Sequence, residues 1–89
     1  METRKQYMSA SFPYVSLVIT EDERAILVQV SANPDENPQD MARTFIENRG
    51  DAVVMVSPPH ALSVYQTVYD VRDALQGMEI DEIVDTHSY

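Results

Sequence analysis

Apolar positions recur in steps of two along some stretches of the chain and in steps of three and four along others. From Phe12 to Thr20 the run Phe-Pro-Tyr-Val-Ser-Leu-Val-Ile-Thr is rich in β-branched and aromatic residues, which predicts a strand. Pro13 cannot donate to a ladder, so it suggests that this strand is an edge or joins the sheet there. Glu21-Asp22-Glu23-Arg24 reads as a turn, and Ala25 to Ser31 then alternates with Ile26, Val28 and Val30 on one side. Two strands joined by about four polar residues predict a hairpin.

Asn33-Pro34-Asp35-Glu36 is a loop by composition. Behind it, Asn37 suits an N-cap, Pro38 the first helical position, and Asp40 the return arm of a capping box. Met41, Ala42, Phe45 and Ile46 share one side at helical spacing, and Gly50 supplies a left-handed stop. Ala52 to Val56 is apolar on both sides, which predicts a central strand.

Ser57-Pro58-Pro59 repeats the start signal of a serine cap followed by proline. Val64 to Val71 carries enough β-branched residues for a strand. However, Ala61, Val64, Val68, Val71 and Leu75 span only about 80° of a helix at about 100° per residue, and Gly77 follows as a stop. The spacing favours a helix over residues 61–75. Met78 to Asp85 reads as a fourth strand with Ile80 and Val84 inward.

The order β-β-α-β-α-β implies an α+β domain over residues 11–86. Its expected architecture is a four-stranded mixed sheet with two helices, both on one side, in a two-layer sandwich. Residues 1–10 are polar and lack a period, which predicts a flexible arm, and residues 87–89 form a short tail.

Composition narrows the function more than it names it. The 89 residues, 44% hydrophobic and 24% charged, suit one globular domain rather than a disordered or fibrous chain. The chain has no cysteine, which excludes disulfides, thiolate metal sites and cysteine nucleophiles. Fifteen acidic against six basic residues give a net charge of −9, a field that repels nucleic acid and anionic membranes and favours a basic protein, a polyamine or a divalent metal. Ala52 to Val56 is the longest unbroken apolar stretch, far short of a membrane span, and no apolar core follows the charges near Met1. A soluble cytoplasmic protein is the expectation.

The two glycines both sit where a helix ends, so no phosphate-cradling loop or dinucleotide fingerprint can form, and no cofactor is expected. Asp35, Asn37 and Gln39 alternate like the start of a calcium loop, but the sixth and twelfth places hold Asp40 and Ile46. An extended C-terminal segment would place Glu79, Asp81, Asp85 and His87 on one side. Asp81, Asp85 and His87 are therefore the candidate ligands for a divalent metal, against the plainer reading of a solvated acidic face. Ser57 and His60 resemble a nucleophile and base, but no third group orients the imidazole.

The strongest functional hint is a row beside the core stripe of the expected second helix: Leu62, Tyr65, Tyr69 and Arg72. Tyrosine and arginine dominate binding hot spots. The sequence thus points to a non-catalytic interaction or regulatory module, self-associating as a dimer through this row or through an edge strand beginning at Phe12. The alternatives are an acidic inhibitor that mimics nucleic acid towards a basic partner protein and, further off, a small metal-binding protein.

Overall fold

Strand β1 runs over Phe12–Thr20 and β2 over Ala25–Ala32, followed by helix α1 at Pro38–Asn48, β3 at Val53–Val56, β4 at His60–Ala61, helix α2 at Val68–Ala74 and β5 at Glu82–Asp85. The computed structural model describes residues 11–63, 65–75 and 79–86. The arm expected over residues 1–10, the tail at 87–89, Val64 and the Gly77 stop lie outside the described residues.

β1 and β2 form the expected antiparallel hairpin, with Ser16 opposite Val28 and Val18 opposite Ile26. The turn is closed by Glu23 N–H donating to Thr20 O at 2.9 Å and Thr20 N–H to Arg24 O at 3.1 Å. α1 starts where the sequence places it: the Asn37 side chain accepts from Gln39 N and Asp40 N, and proline occupies the first turn, but the cap is one-sided rather than the reciprocal box expected with Asp40. It ends in a Schellman arrangement, with Gly50 N–H donating to Glu47 O and Asp51 N–H to Ile46 O. Gly50 sits at φ +99, where a side chain would be strained.

The fold is α+β with a mixed sheet and two helices, but the sheet has five strands rather than four. Its order is β3-β1-β2-β5, and β4 pairs with β1 beyond the end of β3. The fifth strand arises where a helix start was expected. A residue before proline is pushed towards extended geometry, so Ser57-Pro58-Pro59 carries the chain on along β1 instead of turning into a helix. α2 begins only at Thr67, which forms a reciprocal capping box with Asp70. The helix expected over 61–75 is therefore its last two turns alone.

Strand positions also differ from expectation. β1 lies inside the sheet, with β2 on one side and β3 and β4 on the other, so the supposed edge at Phe12 is interior. Pro13 fits there because its carbonyl accepts from Leu62 N–H, and the missing donor faces that same irregular segment rather than β2. β3, expected to be central, is an edge. Its register slips between Ile19 and Thr20, and Val54 stands out of the pairing, 61% exposed.

The helices occupy opposite faces. Val18, Ile26, Val28, Val30 and Val56 pack with Ala42 and Ile46 of α1, while Val15, Leu17, Ala25 and Leu27 pack with Val71 of α2. The two-layer packing describes the α1 side, and the short α2 adds a partial layer behind it. Topology explains the split. From β2 the chain crosses over β1 to β3, and from β3 it crosses back over both β1 and β2 to β5, which lies parallel to β2. Two crossovers of one hand that travel in opposite directions must use opposite faces. Ile80 and Val84, expected side by side inward, accordingly fall into opposite clusters because pairing begins only at Glu82.

Candidate functional site

The tyrosine surface is built on the segment where the sequence reading needed most correction. Leu62 and Tyr65 precede α2, whereas Tyr69 and Arg72 lie on it, so the four residues do not form one helical row. The segment between β4 and α2 is held by Leu62 N–H donating to Pro13 O, Gln66 N–H donating to Ser63 O, and the Gln66 side chain accepting from Ser63 N–H. Leu62 is turned in against the cluster under α2. Tyr65 stands 93% exposed and Tyr69 61% exposed, and the Arg72 guanidinium lies 5.8 Å from the Tyr69 ring centroid, within cation–π range. Beside them runs a groove of about 550 Å³ bordered by Pro13, Leu62, Val68, Tyr69 and Ile83.

A second groove, about 470 Å³, lies on the other face between α1 and β5. α1 sits over β3, β1 and β2, so the β5 side of that face is left open. Val30 forms its floor, Met41 and Phe45 its wall, and Glu36, Asp40 and Thr86 stand at its rim. Val30 and Thr86 mark the carboxyl ends of the parallel strands β2 and β5, where open sheets commonly bind ligands. Sequence reasoning assigned Met41 and Phe45 simply to the core side of the helix. Both do pack on the core, but each remains half-buried at this groove.

Between β3 and β4, Ser57 is a ladder element rather than a nucleophile or a helix cap. Three residues of the outer strand, Ser57 to Pro59, span the space of two on β1, and the prolines bring no donors. Ser57 Oγ accepts from Leu17 N–H at 2.8 Å, and Ser57 N–H donates to Leu17 O at 2.8 Å. The hydroxyl thus does the work of a backbone carbonyl. His60 is exposed on β4 beside a small hollow of about 220 Å³ that Ser57, Leu17 and Val71 also line.

At the hairpin end of the molecule, five charged side chains form a chain of ion pairs. Arg24 contacts Asp22 at 2.9 Å and Asp51, while Arg49 contacts Asp51 at 3.5 Å and grips Glu82 through two hydrogen bonds at 3.0 and 3.1 Å. Thr20 Oγ1, buried, donates to Asp22 and accepts from Arg24 N–H. That hydroxyl first, and Arg24 second, hold the Asp22 carboxyl below its ordinary pKa of 3.8. Asp22 raises Arg24 and Glu82 raises Arg49 above the ordinary guanidinium value. Arg24 and Asp51 are 27 residues apart in sequence and Arg49 and Glu82 are 33, and no local pattern announces either pair. Arg43 and Arg72 lie within 4.0 Å of Glu47 and Asp73. Every described arginine is therefore matched to a neighbouring carboxylate, and the acidic surplus falls to other residues.

Of the candidate metal ligands, Asp81 accepts from Ala25 N–H at 2.8 Å, which pins the start of β5 to β2. Asp85 lies on β5 beside the tyrosine groove. His87 lies outside the described residues. Among the described residues no three His, Cys, Asp or Glu side chains gather as a metal set, and no helix is long and apolar enough to cross a membrane.

No protein-family model matches the chain, and neither a curated protein nor a solved structure matches it.

Proposed function

We propose that the protein is a non-catalytic interaction module that self-associates through the surface formed by Tyr65, Tyr69 and Arg72. The observation that carries this reading is a pair of exposed phenol rings, Tyr69 at the lip of a largely apolar groove and Tyr65 on the segment that leads into its helix. Aromatic side chains that leave large apolar area uncovered, beside an arginine, have the composition of an interface core. A second copy related by a two-fold axis supplies the covering: Tyr65 of each protomer fills the groove of the other, as an isologous contact requires. A domain of this size also gains from such a supplement to its single small core.

Sedimentation velocity from low to high micromolar concentration tests the reading. The native chain is expected to shift towards twice its 10.1 kDa mass, and the Tyr65→Ser/Tyr69→Ser double variant to remain monomeric with an unchanged unfolding midpoint. A native chain that stays monomeric throughout overturns self-association, and a double variant that unfolds marks the rings as structural.

One observation favours the alternative of an acidic protein that engages a basic partner. Once each described arginine is matched, Glu21, Glu23, Asp35 and Glu36 remain exposed with no ion pair to a cationic side chain among the described residues. Under that reading, affinity for the partner falls steeply with added salt.

A further inference from the structure

We infer that the groove between α1 and β5 is a docking site for a basic, amphipathic segment of another protein. It lies on the opposite face from the tyrosine surface and does not depend on self-association. Three observations carry it. The groove exists because β5 extends the sheet past the cover of α1, so Met41 and Phe45 meet Val30 at one border and solvent at the other. Its interior is apolar, which selects a bulky aliphatic or aromatic side chain. Its rim carries Glu36 and Asp40 and no basic residue among those that line it.

Among the described residues, the arginines on and just after α1 are engaged elsewhere: Arg43 with Glu47, and Arg49 with Asp51 and Glu82. An apolar trough with a carboxylate lip is complementary to a helix that has leucine-like anchors on one side and lysine or arginine flanking them. The groove's open, elongated setting along α1 favours a chain segment over a small enclosed ligand. A second copy of this chain is the poorer occupant, because its own net charge of −9 opposes it at this rim.

The test uses the whole chain and two fluorescein-labelled peptides. One has leucines along one helical side and lysines on the other, and its twin has every leucine replaced by serine. Fluorescence anisotropy should show the leucine peptide binding roughly tenfold or more tighter than its twin, because charge alone cannot distinguish them. Added salt should weaken the leucine peptide without erasing its advantage. In the wild-type protein, amide shifts should centre on Val30, Met41, Phe45 and Thr86. Thr44→Arg, an exposed helical position on the groove, should cost roughly tenfold in affinity at an unchanged unfolding midpoint. Equal binding of the two peptides overturns the proposal, as do shifts centred on residues 21–23 or 65–69, or a Thr44→Arg protein that binds as before.

Discussion

On one face of the sheet, an eleven-residue helix capped at both ends lies over a cluster of seven buried residues. On the other, among the described residues, a helix of seven residues meets a cluster of five; partly covered side chains ring both clusters, five on the first face and six on the second. Both faces are apolar, and both are crossed by a helical connection. They differ in how much each helix seals. α1 buries Ala42 and Ile46 entirely, whereas α2 buries only Val71 and leaves Tyr69 in water. The α1 face is therefore expected to carry more of the global stability than the α2 face. Local stability within a domain follows that kind of difference.

The sharpest way to break this contrast is to hollow each face in turn. Ile46→Ala should cost about 2–5 kcal/mol in urea denaturation and lower the whole transition, while Val71→Ala should cost about 1.5–3 kcal/mol. Equal losses would make the faces equivalent. Ser57→Ala comes next: it strands the buried Leu17 N–H and should cost about 1–3 kcal/mol, with faster hydrogen exchange at that amide. Capping gives a finer comparison. Asn37→Ala and Thr67→Ala each remove about 1 kcal/mol of helix stability. The Asn37 loss should appear in global unfolding, and the Thr67 loss mainly as faster exchange at Val71 N–H, which donates to Thr67 O at 3.2 Å.

Ser16 offers a change of opposite sign. Its hydroxyl is buried on the α1 side without a partner among the described residues, so Ser16→Ala should leave the unfolding free energy unchanged or raise it by up to about 1 kcal/mol. The smallest effect concerns pH. A carboxyl held below its unfolded value adds stability above the ordinary 3.8, and that stability disappears as pH falls through the lowered value. Asp22→Asn should therefore lower the midpoint slightly at neutral pH and leave it nearly unchanged below the lowered value, flattening that part of the acid limb, as thermal melts from neutral to acid pH would show.

What was legible in the sequence was local. The hairpin, the Asn37 cap, the Gly50 stop and the α+β class follow from neighbours a few residues apart, and each stands as read. The ordering of strands was not legible, because β1 becomes interior only when β3 and β4, far along the chain, pair with the side that its hairpin partner β2 leaves open. Residues 61–75 mislead for a physical reason: a stripe at spacings of three and four reaches back to Ala61, while the two prolines just before it favour an extended backbone. The Thr67-to-Asp70 box, a true start signal, lay inside that stripe. Leu62, Tyr65, Tyr69 and Arg72 form a row only in continuous helical geometry, and Leu62 and Tyr65 stand outside the helix. The α1 groove had no local signature, since it depends on how far β5 extends beyond α1.

The pairing of β2 with β5 has a consequence for assembly in time. Ala25 on β2 meets Asp81 fifty-six positions later, so during synthesis the hairpin is present long before its neighbour. Throughout that interval one flank of β2 shows bare amides and carbonyls, the state in which strands recruit the wrong partner. The nascent chain is therefore most vulnerable to misassembly just before its last strand emerges, and a chaperone that shields this flank would matter more than one that protects either helix.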